Sequence, residues 1–309
     1  MNYILTEYDI HQYLQYCNIS KNLSAHTLKA YQIDLHQFYQ YMKNHDFLMT
    51  RNSLQSYIDY LHKTYPKTKT VKRKIAAVKA FLSNLTYQEK LEDNPITKIK
   101  TSFREPKLLP RTISTTDLNS IFHRLYDDIN KCKTKYQIKS CTRNAAIIEL
   151  LFSTGIRVSE LCHLKDGEIN LKEQYIRILG KGAKERIIQI GNQEVLNILL
   201  TYRSLFKEQI ESCEYFFINK LGNPFSEQSV RILLSHYEKE LHLPQHITPH
   251  MFRHTFATKL LEEDVDIRYI QHILGHSSIT TTQIYTHIHS NKQKEILSLK
   301  NPRNFIYKT

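Results

Sequence analysis

The chain has 309 residues, 41% of them hydrophobic, and carries 43 Lys and Arg against 30 Asp and Glu, for a formal charge of +13 and a pI near 9.3. That length suffices for two domains with separate cores, and a positive surplus that folding does not need points to a polyanionic partner. No apolar run approaches the roughly 18 residues of a membrane span. The polar start MNYILTEYD also lacks the regions of a signal peptide, so a cytoplasmic protein acting on nucleic acid, with no membrane partner, is expected.

Residues 1–100 read as helical throughout. Ser24 suits an N-cap, and Leu28, Tyr31, Leu35 and Phe38 follow at helical spacing. Leu54, Tyr57, Ile58 and Leu61 mark the next helix. In KTKTVKRKIAAVKAFLSNL the core face is Val71, Ile75, Val78 and Leu82. Lys67, Lys69, Lys72, Arg73, Lys74 and Lys79 crowd the same stretch without acidic partners one turn away. A solvated face is the ordinary explanation of such a run; charges of one sign favour contact with DNA phosphates. Through Pro110 the chain holds 16 basic and 9 acidic residues, and beyond it 27 and 21, so both parts are basic.

Pro106 and Pro110 and a loss of periodicity mark residues 101–110 as a linker, which leaves 111–309 as the second domain. Thr115 or Thr116 can cap a helix through Ile121, Phe122 and Leu125. DDINKCKTKYQIKSCTR then reads as a polar loop or helix end. In RNAAIIELLFSTGIRVSELCHLK a buried helix ends at Gly155, and Arg157 opens another. An Arg between two apolar helices needs an anionic partner, and Glu160 could brace it. YIRILGKGAKERIIQI alternates like a hairpin with Lys181 in its tip. Tyr215–Asn219 is a further strand candidate.

TPHMFRHTFATKLLEEDVDIRYIQHILGHSSITTTQIYTHIH carries the chemistry. Thr248 and Pro249 begin a helix with His250 and Arg253 one turn apart near its N-terminus; Phe252, Phe256 and Leu260 form its buried stripe. A second helix should span Asp266 to Leu274 and stop at Gly275, directly before His276. Ser278 can cap a third, from Ile279 to about His287, that carries Tyr285. Singly, each residue is more often structural; jointly, at closely linked helix ends, they read as a site. The five scattered cysteines suit free thiols. His242, His246, His250 and His254 recur every four residues, but Pro244 and Pro249 interrupt them, so a metal site is the lesser reading.

STGIRVSEL, GKGAKERI, TPHMFRHTFAT and LGHSSITTTQIYTH, in that order, resemble the signatures of the tyrosine recombinase (phage integrase) family, Xer-like and transposon-type members above all. They cover about residues 141–289. The resemblance implies a mainly α fold with a small antiparallel β-sheet: a helical core-binding domain followed by an α+β catalytic domain. It implies a site-specific DNA recombinase with catalytic residues Arg157, Lys181, His250, Arg253, His276 and Tyr285, a 3′-phosphotyrosyl intermediate, and neither metal nor ATP nor any other cofactor. The partners implied are double-stranded DNA recombination sites and a homo-tetramer on two such sites, alone or with a related recombinase. Ile296, Leu297, Leu299, Phe305 and Ile306 would dock a C-terminal tail on a neighbour or on the same chain. Rivals are a relaxing topoisomerase or telomere resolvase, a non-catalytic DNA-binding regulator, and a metal-dependent nuclease.

Overall fold

The computed structural model describes residues 3–45, 47, 49–101, 111–179, 185–275 and 286–307, the last stretch with side chains from residue 293 onward. The chain divides into two compact units, Met1–Leu108 and Leu109–Thr309.

The first unit is built from α1 (Glu7–Ile19), α2 (Ala25–Lys43), α3 (Arg51–Thr64), α4 (Thr68–Tyr87) and a 3-10 turn at Pro95–Lys98. Thr6, Ser24 and Thr50 each accept a backbone N–H of the first turn, which satisfies donors a helix start leaves open. Leu35, Phe38, Leu54, Tyr57, Ile58, Val71, Ile75, Val78 and Leu82 are all buried, as their spacing predicts, and Tyr13 and Phe81 complete the core.

One expectation fails here on burial. Lys74 is 2% exposed; its ammonium lies 2.9 Å from the buried Asp34 carboxylate of α2 and bonds Gln37. A buried charge must be matched inside, so Lys74 is withdrawn from the phosphate-contact set. Arg73 shares the same carboxylate but keeps a half-exposed side chain, and Lys79 bonds the Thr101 hydroxyl. Lys67 and Lys69 lie at the start of α4.

The second unit holds α5 (Thr115–Lys131), α6 (Lys135–Thr154), α7 (Val158–Cys162), strands β1 (Ile169–Asn170), β2 (Tyr175–Leu179) and β3 (Glu185–Gln189), then α8 (Gln193–Leu205), α9 (Lys207–Cys213), α10 (Glu227–Glu240), α11 (Pro249–Glu262), α12 (Ile267–Leu274) and α13 (Thr286–Leu299). A 3-10 turn at Pro302–Phe305 follows. The expected fold class holds: helices dominate, with one antiparallel sheet in the order β1-β2-β3. Tyr175 pairs with Gln189 and Leu179 with Glu185. Residues 180–184, including the proposed tip Lys181, lie outside the described residues.

Three local expectations are corrected. The cap of α5 is Ser114, which accepts the Asp117 N–H, one residue ahead of Thr115. Residues 127–143 are almost wholly helical, because Thr134 and Gln137 form a reciprocal cap that starts α6. Tyr215–Asn219 makes isolated bridges, Lys165 with Tyr215 and Ile218 with Pro224, and no strand. Its backbone is served instead by the buried Tyr202 hydroxyl, which donates to the Phe216 carbonyl and accepts the Ile218 N–H.

The core centres on α6, buried from Ala145 to Thr154 and packed by α5, α8 and α11. Of the tail residues, Ile296, Leu297 and Ile306 enter this core while Leu299 and Phe305 stay exposed. A Cβ on Gly191 would lie 1.9 Å from the Leu297 carbonyl oxygen, so only Gly lets α13 approach the chain after β3 this closely.

Candidate active site

The site is assembled at the C-terminal end of α12, whose last carbonyls have no helical donors of their own. Gly275 ends the helix in the left-handed conformation, φ +67°. Three successive carbonyls there take three arginines. Ile273 accepts from Arg186 Nε at 3.1 Å, Leu274 from Arg253 Nη2 at 2.6 Å, and Gly275 from Arg157 Nη2 at 3.2 Å. The negative end of a helix dipole favours cations at this point.

Each guanidinium arrives from a different element. Arg157 is the N-cap residue of α7, placed by the turn in which Gly155 ends α6 at φ +60°. A Cβ on Gly155 would meet Phe256 and Leu274 side chains within 3 Å, so this turn needs glycine for space as well as for its backbone. Arg253 projects from near the start of α11, one turn after His250, and the helix begins as expected: Thr248 accepts the Met251 N–H, and Phe252, Phe256 and Leu260 are fully buried. Its Nη1 also donates to the Gly155 carbonyl at 2.7 Å, tying the start of α11 to the end of α6. Arg253 is 5% exposed. Burial, and then the charges of Arg157 and Arg186 against the opposing pull of Glu160, push its pKa down to about 10.

Glu160 is the carboxylate set among these cations. Arg157 Nη1 reaches it at 2.8 Å and the Arg157 N–H at 2.9 Å, while Arg186 grips both oxygens at 2.9 and 2.7 Å. Burial alone would raise the Glu160 carboxyl; the bonds from Arg186 and Arg157 outweigh it and hold the group below the usual carboxylate range.

His250 stands exposed on the first turn of α11, its ring stacked at 5.9 Å on that of His254 one turn later. Partial burial and the charges of His250 and Arg253 lower the His254 pKa. His246 is held by Glu238 at 2.7 Å. Among the described residues no group of three His, Cys, Asp or Glu side chains could hold a metal ion, so the four-residue histidine spacing does not build a metal site there.

Of the six residues expected to carry the chemistry, the structure brings Arg157 and Arg253 together, with His250 one turn before Arg253 on α11. Lys181, His276 and Tyr285 lie outside the described residues, as does the proposed cap Ser278; α13 is described from Thr286. Sequence reasoning missed Arg186, whose only signal was an Arg at an alternating strand position in a segment already rich in basic residues.

Comparison with known proteins agrees with this architecture. The family model described as the phage integrase family matches residues 122–292, and that of the phage integrase N-terminal SAM-like domain matches residues 10–89. The chain belongs to the phage integrase family, the tyrosine recombinases, and is by that membership an enzyme of site-specific DNA recombination. A tyrosine recombinase of Agathobacter rectalis is 50% identical over 295 residues, covering 95% of this chain and 96% of that one. Tyrosine recombinase XerC of Thermodesulfovibrio yellowstonii is 34% identical over 303 residues, covering 96% and 97%. Among solved structures, XerH recombinase bound to its palindromic difH substrate after cleavage superposes with a TM-score of 0.70 at 21% identity, over 94% of this chain and 84% of that one, a likeness of fold.

Proposed function

We propose that this chain cuts and rejoins double-stranded DNA at specific sites through a 3′-phosphotyrosyl link to Tyr285, with neither metal nor ATP. The observation that carries the proposal is the gathering of Arg157 and Arg253 on adjacent carbonyls of one helix end, where buried positive charge already depresses Arg253. An anionic phosphodiester relieves that repulsion, and the charge that builds on its nonbridging oxygens during attack strengthens it further.

In this reading the Tyr285 oxygen attacks phosphorus, the P–O bond to the 5′ oxygen breaks, and Lys181 supplies the proton to that oxygen. His250 assists removal of the phenol proton, and His276 bonds the scissile phosphate. The covalent link conserves the phosphodiester's energy, so a 5′-hydroxyl of a second strand can displace the tyrosine. A homo-tetramer on two DNA sites, alone or with a related recombinase, is the working assembly. The exposed Leu299 and Phe305 are tail residues available to a neighbour. Residues 1–100 would grip the duplex as a core-binding domain, with Lys67, Lys69, Lys72, Arg73 and Lys79 against phosphates, 101–110 as linker and 111–309 as the catalytic domain.

A nicked suicide duplex tests the covalent step. The native chain is expected to give a protein–DNA adduct that resists denaturation and forms in EDTA, while Tyr285→Phe gives none. Equal adduct from both would remove Tyr285 from this role.

A further inference from the structure

We infer that Arg186 is a positioning residue for strand cleavage, the brace that fixes Arg157 through Glu160 and locks the end of α12 to the β-hairpin. The inference rests on the proposed function and concerns a residue outside the six assigned to the chemistry.

Three observations carry it. Arg186 is nearly buried, so it has little surface to offer DNA, yet among the described residues its bonds end inside the site, on both oxygens of Glu160 and on the Ile273 carbonyl. Those bonds join three elements, β3, α7 and α12, and each leads to a residue of the proposed chemistry. Glu160 holds Arg157; Ile273 lies three residues before His276; β3 begins four residues after Lys181 in the chain. The fit is also tight. A Cβ at Gly275 would come within 3.0–3.1 Å of the Arg186 side chain, so the left-handed glycine that ends α12 leaves the space this guanidinium occupies.

The charge balance explains why an arginine serves here. Glu160 faces Arg157 from its own helix turn, Arg186 from β3 and the charge of Arg253 from α11. With Arg186 present, one carboxylate is shared between two guanidiniums, and Arg157 keeps donors for the Gly275 carbonyl and for an incoming phosphate. Without it, Glu160 turns wholly to Arg157 and loses its foremost hydrogen-bond donor. Burial then raises the carboxyl, which takes up a proton at higher pH and releases Arg157.

The test compares native chain, Arg186→Gln and Arg186→Lys in single-turnover cleavage of the suicide duplex, with DNA affinity at fixed salt and melting temperature measured alongside. The native adduct is scored first: its failure to depend on Tyr285 would overturn the proposed function, whereas a normal native adduct leaves the variants to report on Arg186 alone. Arg186→Gln is expected to bind DNA as the native chain does and to cleave about a hundredfold more slowly, the scale of a misplacement near 1 Å. Its acid limb should shift to higher pH. Arg186→Lys, which restores the charge but not the two-pronged grip, should return the acid limb toward the native position and recover part of the rate. Native cleavage by Arg186→Gln, a parallel loss of rate and affinity with an unmoved pH profile, or unfolding of both variants would each overturn the inference, the last by making Arg186 a residue of the fold alone.

Discussion

Arg303 and Glu149 are fully buried against each other, with Nε and Nη2 of the arginine 2.7 and 2.8 Å from the two carboxylate oxygens. Arg303 comes from the 3-10 turn after α13 and Glu149 from the middle of α6, so the pair fastens the tail to the core of its own chain. Tyr126 donates to the same carboxylate at 2.6 Å, Glu194 reaches Arg303 at 2.9 Å, and Asn301 donates to the Ser153 carbonyl at 3.0 Å. Arg303→Ala leaves Glu149 buried without its cation and should cost about 3–5 kcal/mol. Urea unfolding of the native and variant chains measures it. Replacing both residues by apolar ones of similar size should recover part of that loss.

The two kinds of lysine in α4 separate by readout. Lys74→Ala leaves the buried Asp34 to Arg73 alone, with one carboxylate oxygen short of its donor, and should destabilise the first unit by about 1–3 kcal/mol. Lys67→Ala and Lys69→Ala should leave stability within about 0.5 kcal/mol. Each should reduce the slope of log affinity against log salt for duplex DNA by about 1. Denaturation curves beside a salt titration of binding decide both.

His254 should titrate below the ordinary imidazole range, and NMR of its ring protons follows it directly. A base whose folded pKa is lowered contributes stability that is present above the unfolded value, about 6.5, and is lost as pH falls through the folded value. His250→Gln removes one of the charges that lowers it and should move the His254 midpoint upward. A midpoint that stays put would show burial and Arg253 to be sufficient causes.

Gly191→Ala sets a methyl against the Leu297 backbone. Backbone cannot rotate aside as a side chain can, so α13 must shift. A loss of about 1–3 kcal/mol is expected, with cleavage slowed further than stability explains, since Tyr285 is joined directly to Thr286 of α13. Denaturation and single-turnover cleavage on the same preparation separate the two effects.

Local chemistry is what the sequence by itself determined. Thr248 and Pro249, the Phe252–Phe256–Leu260 stripe, the stops at Gly155 and Gly275, and the hairpin are short-range patterns, and the Arg157–Glu160 brace spans three positions. Only the tertiary structure decided which basic residues are internal. Lys74 looked like its neighbours until Asp34, forty positions away, was seen to bury it, and Arg186 looked like one more strand cation until Glu160 and Ile273 closed on it. The physical reason is that a charge turns inward only when an opposite charge or an open carbonyl meets it there, and such partners are supplied by elements remote in the chain.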